Sequence, residues 1–325
     1  MNLAKYALER GGSIRPLIIP SELTGGTGLM NPSVFVDGDK ISLILRHVNY
    51  TFYHSEKKLF QHYWGPLTYV HPENDMHLRT TNYYCELDSD CNLKKYTKID
   101  TSKFDTYEPQ WDFVGLEDAR LFRWDGKLYT CGVRRDLDSA GTARMDLCEI
   151  QVDQDSVVEI SRFRIPAPGD NNTYCEKNWM PILDKPFHFV KWTNPTEIVK
   201  INPEDKSCET VYMSNEFYEL KRDLRGGSQV IRIGKFYVAC LHEVVFFDSS
   251  TGRKDAIYLH RFVVWDQDFK IVKLSQDFSF MGGDIEFCAG MSKYEDDILL
   301  TFGFQDNASY ILRMSQKILE DFLNA

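Results

Sequence analysis

Five times along this chain, two short apolar runs rich in β-forming residues flank a tight turn. That period-two pattern is hard to satisfy as helix, because side chains alternating across a strand would be scattered around a helical surface. The turns lie at Asp37-Gly38, at Asp125-Gly126, near Asp184, at Gly234-Lys235 and over Glu295 to Asp297. Asp-Gly between apolar runs is a strong hairpin signal, because Asp and Gly both accept the positive φ that a two-residue turn demands. The five hairpins predicted in this way run from Asn31 to Arg46, from Glu117 through Arg134, from Glu176 to Trp192, from Arg225 to Val244 and from Asp284 to Asp306.

Each hairpin is followed by another strand-like run, beginning at Tyr83, Met145, Thr196, Tyr258 and Ser309, and the first four of these contain a turn and a further strand. Four strands per unit in five repeats predict an all-β chain. The expected architecture is one five-bladed β-propeller domain over residues 1–325, closed by a short C-terminal helix. The turns are 88, 59, 50 and 61 residues apart, which excludes an array with a fixed repeat length and suits loops inserted on one face. Ser13 to Pro20, bracketed by Pro16 and Pro20, is suited to an edge or closing strand. Ile318, Leu319, Phe322 and Leu323 have the helical spacing that places the terminal helix in Gln316 to Ala325.

Composition narrows the function. A formal charge of −10 in 325 residues opposes a nucleic-acid face, which needs clustered Lys and Arg to displace counterions. No stretch has the length and apolarity of a membrane span, and a cytoplasmic location is expected, with homo-oligomer formation left open. The eight cysteines include no C-x-x-C pair and mostly sit in apolar runs, so buried free thiols are expected rather than a disulfide frame or zinc site. No metal or organic cofactor is expected. Thr24 to Gly28 (TGGTG) lacks the Lys-Ser/Thr of a phosphate loop and precedes a strand, so it is a turn. The segment Asn49 to Arg79 carries Tyr50, Phe52, Tyr53, Tyr63, Trp64 and Tyr69, a candidate sugar platform.

In a propeller the first strand of every blade lines the axis, so the leads of the five hairpins converge. They carry Asn31, Glu117, Asp118, Arg120, Lys177, Asn178, Arg225, Asp284 and Glu286, and the far ends of the second strands add Arg46, Arg134, Arg135, His242 and Asp306. Carboxylates, cations and amides around one cavity point to a polar small-molecule site.

These motifs resemble glycoside hydrolase family 130 and the related glycosyltransferase family 108, five-bladed propellers that act on β-mannosides as inverting phosphorylases, hydrolases or mannosyltransferases. Asn31-Pro32 with Arg46, the Glu-Asp-x-Arg of Glu117 to Arg120, Lys177-Asn178, the Gly226-Gly227 lead with His242, and Phe304 to Asp306 carry the resemblance. It implies Asp118 as general acid, acting through a sugar hydroxyl, and Asp306 in the first sugar subsite. It places Arg46, Lys177, Asn178 and His242 at sugar or phosphate. The implied partner is an oligosaccharide or glycan, with inorganic phosphate or a sugar nucleotide as co-substrate. The sequence departs from the family in having Ala119 where proline is usual, Glu243 after His242 where glycine is usual, and Lys191-Trp192 where an arginine is frequent.

Two expectations follow for the chemistry. Asp118 should keep a proton in a crowded channel beside Glu117, and Arg46, Arg134, Lys177 and His242 should form one basic patch, with His242 donating when protonated. An inverting hydrolase would draw its second carboxylate from Asp284 or Glu286, a transferase would use a donor such as GDP-mannose, and a carbohydrate-binding propeller would be no enzyme at all.

Overall fold

The computed structural model of the chain describes residues 1–54, 67–70, 74–169, 173–216, 218–219, 222–248 and 254–324. Among these are twenty-three strands and three helices, so the chain is all-β. Asp125 (φ 47°) and Gly126 (φ 77°) both adopt the left-handed backbone that their turn requires, and strands Glu117–Trp124 and Lys127–Arg134 pair antiparallel around them.

The strands form antiparallel meanders. The first is Leu29–Asp37, Lys40–Val48, Leu78–Leu87 and Leu93–Asp100. The second adds Arg144–Val152 and Val157–Arg164 to the Glu117–Arg134 hairpin. Parallel pairing of Val157 with Ile99 and Val158 with Asp100 welds these two into a single nine-stranded sheet, a connection the sequence does not announce. The third runs through Met180–Pro181, His188–Thr193, Thr196–Asn202 and Ser207–Met213, and the fourth through Ile231–Ile233, Phe236–Asp248, Lys254–Trp265 and Ile271–Leu274. The last comprises Glu286–Tyr294, Asp297–Phe304 and Ala308–Ser315, completed by Ser13–Pro16 from the start of the chain. Ser13 to Pro16 thus takes the closing position expected of it.

The first strands of the meanders contact one another in a ring. Ser33 accepts from Leu121 N at 3.1 Å, Trp124 Nε1 donates to Ile182 O at 3.1 Å, and Val230 N donates to Pro181 O at 2.9 Å. Met291 N donates to Gln229 at 2.9 Å, and Val34 N to Thr301 Oγ1 at 3.1 Å closes the circuit. The apolar clusters occupy the wedges between neighbouring sheets, with Phe122, Trp124 and Phe189 in one and Phe278, Phe280 and Phe302 in another. Since the sheets pack on each other through these wedges, the axis itself is left for polar side chains.

The C-terminal helix forms over Gln316–Asn324 and buries Ile318, Leu319 and Phe322. At about 1.5–3 kcal/mol for each large apolar side chain removed from water, this docking holds a segment too short to be helical alone. It meets a second helix, Leu3–Leu8, through Tyr6 and Phe322, whose ring centroids are 5.3 Å apart. Asn2 caps that helix by accepting from Lys5 N at 2.8 Å. All eight cysteines are free and all but Cys175 are buried. No helix among the described residues is long and apolar enough to cross a membrane. Tyr63 and Trp64 of the expected aromatic platform lie outside the described residues, while Phe52, Tyr53 and Tyr69 fall in a small hairpin, Thr51–His54 with Leu67–Val70.

Candidate active site

Four polar residues at the ends of the ring strands adopt left-handed backbone: Asn31 (φ 48°), Asp118 (52°), Asn178 (62°) and Asp306 (50°). Asn and Asp bear this conformation better than other side chains, yet it still costs about 1–2 kcal/mol each. Close backbone approach enforces it. A Cβ on Gly303 would collide with Asn31, one on Gly132 with Glu117 O, and one on Gly226 with Asn178 O. The strand registers skip at these places, between Met30 and Ser33 and between Cys131 and Val133.

These kinks aim side chains at one another. Arg46, 4% exposed, donates from Nη1 to Asp118 Oδ1 at 2.8 Å and from Nη2 to Glu117 Oε2 at 3.2 Å and the Tyr50 hydroxyl at 3.3 Å. Thr80 Oγ1 accepts from Arg46 Nε at 3.1 Å, which fixes the fork in place. Asn31 Nδ2 donates to the same Asp118 oxygen at 2.7 Å. Asp306 stands close enough to feel Arg46, Asp118 and Glu117, and Tyr258 close enough to feel Asp306 and Asp118.

Three carboxyls around one guanidinium cannot all ionise freely. Burial would raise Asp118, but Arg46, Arg120, Asn31 and Lys177 together carry it below the usual aspartate value. Burial pushes Asp306 up to about 6, with Asp118 and Glu117 adding to the effect and Arg46 opposing it, and burial likewise raises Glu117. The proton expected on Asp118 is therefore disfavoured there. Asp306 holds one below about pH 6, because burial raises it and Arg46 only partly offsets that.

The expected basic patch is also redrawn. Arg134 faces away from this cluster, ion-paired with Asp146 at 3.1 Å, Asp105 at 3.2 Å and Asp136 at 3.5 Å. Arg120 is 1% exposed and spends its donors on Asp118 O, Gly227 O at 3.0 Å and Asn178 Oδ1 at 3.5 Å. It is a girder across three meanders rather than a substrate ligand. Lys177, Arg225 and Arg135 have no ion pair among the described residues and act on the groups of this cluster. Lys177 acts electrostatically on Glu117, Asp118 and His242, Arg225 on His242 and Tyr258, and Arg135 on Glu117.

His242 is buried, its ring stacked on Tyr258 at 5.6 Å and edge-on to Phe287 at 4.9 Å. Burial, then His260, Arg225, Lys177 and Arg120, drive its pKa well below the ordinary histidine value, so it is neutral and not the protonated donor expected. Glu286 is not an available base either. It is fully buried and accepts from the backbone N–H groups of Phe280, Met281 and Gly283, pinning the preceding loop. Asp284 stays partly exposed, its carbonyl held by Tyr258 N at 2.8 Å. Tyr258 and Gln229 were not marked as site residues by the sequence; Gln229 signalled itself only as a polar residue inside an apolar strand.

His260 pairs in register with His242, is 0% exposed, and neither of its ring nitrogens has a hydrogen-bond partner among the described residues. Burial pushes its pKa down to about 3. Both histidines are thus harder to protonate folded than unfolded, where the value is about 6.5. Their contribution is fully present above that pH and is lost as pH falls, at up to about 1.4 kcal/mol per unit for each. The melting temperature is expected to drop between about pH 6.5 and 5, and His260→Leu should flatten that slope. Equal slopes for the two proteins would remove the histidine as its cause.

No protein-family model matches the sequence, and no curated protein is significantly similar to it. Solved structures do match in fold. One is a β-1,2-mannobiose phosphorylase from Listeria innocua in complex with β-1,2-mannobiose, with a TM-score of 0.56 and 12% identity over 96% of this chain and 97% of that one. Another, with a TM-score of 0.56 and 13% identity over 90% and 85%, belongs to the GH130 family of mannoside phosphorylases and hydrolases that target β-1,2 mannosidic linkages. A GDP-Man-dependent mannosyltransferase from Leishmania mexicana matches at 0.53 and 12% over 96% and 94%. The chain has the fold of glycoside hydrolase family 130 and of this mannosyltransferase, over nearly its full length.

Proposed function

We propose that the chain is a five-bladed propeller enzyme acting on β-mannosidic linkages by inversion, and that it is a glycoside phosphorylase. The observation that carries the reading is that a carboxyl cluster suited to sugar hydroxyls, Asp118, Glu117 and Asp306 around Arg46, stands beside cations that have no ion pair among the described residues. These are Lys177, Arg225 and Arg135, in a protein of charge −10. Such a local reversal is costly unless an anion neutralises it, and arginine forks bind phosphate oxygens in pairs. The fold likeness to mannoside phosphorylases supports the same substrate class.

In this mechanism a phosphate oxygen attacks the anomeric carbon from the cationic side. The bond from that carbon to the glycosidic oxygen breaks, and the leaving oxygen takes a proton relayed from Asp118 through a sugar hydroxyl. The products are an α-mannose 1-phosphate and the shortened saccharide. The acid proton is shared among the Asp118, Glu117 and Asp306 carboxyls, which titrate as one coupled set, and substrate entry moves it from Asp306 to Asp118. The same cations would hold the diphosphate of a nucleotide sugar, and the fold likeness to a GDP-Man-dependent transferase supports that second reading.

Sugar release from β-mannosides, measured with and without inorganic phosphate and alongside transfer from GDP-mannose, tests both. Phosphate-dependent release of mannose 1-phosphate is the expected result, and transfer from GDP-mannose alone would establish the second reading. Release independent of phosphate would reject both and turn attention to Asp284 as a base for water.

A further inference from the structure

A separate cavity of about 360 Å³ lies between the first and second meanders, at the lower end of small-molecule sites. Its wall includes Arg134, Asp136 and Glu159, each no more than 2% exposed. Charged side chains this deeply buried usually pack against protein. Here they border a void.

The ion pairs around it set the chemistry of an occupant. Arg134, Arg162 and Arg164 pair with Asp105, Asp136, Asp146 and Glu159, Arg79 pairs with Asp75, and the exposed rim adds Lys98 and Glu108, so carboxylates exceed cations by one. A phosphate would therefore meet guanidinium groups that are already neutralised. No group of three His, Cys, Asp or Glu side chains among the described residues could hold a metal. Two acceptors in the wall are unused: Asp136 Oδ1 and Asn82 Oδ1 are both buried with no partner among the described residues. A half-buried tyrosine, Tyr107, flanks them, its hydroxyl held by Arg134 Nη1 at 3.0 Å, which leaves its ring to offer a flat face. Unpaired acceptors beside an aromatic face fit a neutral polyhydroxylated ring, whose hydroxyls donate while its C–H face stacks.

We propose that this cavity is a second carbohydrate site, taking one hexose unit and distinct from the central cluster. It goes beyond the function proposed above and stands whether or not the chain is a phosphorylase. The cavity is wired to the centre. Asp136 Oδ2 accepts from Gly115 N at 3.0 Å, Asn82 Nδ2 donates to Leu116 O at 2.8 Å, and Thr80 Oγ1 holds Arg46 Nε. The first two contacts fix the turn that leads into Glu117 and Asp118 and the third holds Arg46, so an occupant touches the groups that position the central carboxylates.

Titration calorimetry of the full chain with mannose, glucose and galactose in turn tests the proposal, using wild type, Tyr107→Ala, Tyr107→Phe, Thr81→Trp and Asp118→Asn. The expected result is one hexose-binding event that survives Asp118→Asn and Tyr107→Phe. It should weaken about tenfold or more in Tyr107→Ala, which removes the stacking face, and be abolished by Thr81→Trp, which fills the cavity without touching the ion pairs. Hexose binding unchanged by Tyr107→Ala and Thr81→Trp, or no hexose binding at all, would overturn it. So would spermidine binding in place of every hexose, since the excess carboxylate would then serve a cation. If the central reading fails, turnover of β-mannosides is absent while the cavity event remains.

Discussion

Replacing Asp118 by Asn is expected to lower turnover of a β-mannoside by about 10²- to 10⁴-fold, the usual contribution of a positioned general acid. Stability should stay close to that of the wild type. The side-chain oxygen of asparagine can still accept from Arg46 Nη1 and Asn31 Nδ2, which now meet at one Asp118 oxygen. Arg46 also keeps Glu117 at 3.2 Å, so no buried charge is stranded. Only the transferable proton is lost. The same argument sets the pH dependence of the wild type. In the free enzyme the shared proton rests on Asp306, whose pKa is pushed up to about 6. It is present below that value and lost above it, so kcat/KM should decline as pH rises through about 6. Steady-state rates across pH 5 to 8 for both proteins, with melting curves, check this. Near-wild-type turnover by Asp118→Asn would remove that residue from the acid role, and a large fall in melting temperature would make it a structural partner of Arg46.

The strand layout was legible because hairpins announce themselves locally. Asp125-Gly126 and the alternation on either side of it act over a few residues and appear in the structure where the pattern places them, while the Ser13 to Pro20 run forms its edge strand only over Ser13–Pro16. Pairing between distant strands has no such local signal. The parallel contact of Ile99 with Val157 joins edges through register alone, and nothing in either run names its partner. The convergence of Asn31, Arg46, Glu117, Asp118 and Asp306 was legible too, because it follows from where first strands start and second strands end. Their charge states were not. Whether Asp118 or Asp306 keeps a proton depends on which carboxyl Arg46 touches, a matter of a few ångströms. Arg134 and Arg135 show the limit most plainly. Arg134 ends its strand and enters a buried ion network, while Arg135, one residue beyond the strand, acts on Glu117.

The largest loss of stability is expected from Gln229→Leu. Gln229 is 0% exposed and lies where the ring strands meet. Its Nε2 donates to Leu121 O at 2.7 Å, Val34 O at 2.9 Å and Ser33 Oγ at 3.0 Å, while its Oε1 accepts from Met291 N at 2.9 Å. One amide thus joins strands from four meanders. Leucine is nearly the same size, so the change leaves little cavity and isolates the polar loss. Val34 O, Leu121 O and Met291 N would remain buried, and an orphaned buried group costs about 1–3 kcal/mol. Together these give about 4 kcal/mol or more, a large share of a typical stability of about 5–15 kcal/mol. Gln229→Glu should be at least as damaging, because it keeps the acceptor for Met291 N but brings a charge into a site with no cation to meet it. Guanidinium unfolding midpoints measure both effects, and a loss under about 1 kcal/mol for Gln229→Leu would show that the surrounding groups find other partners. The effect should reach the site as well. Ser33 stands two residues from Asn31 and Leu121 three from Asp118, so loosening this amide relaxes the two kinked turns that bring Asn31 within 2.7 Å of the Asp118 carboxylate.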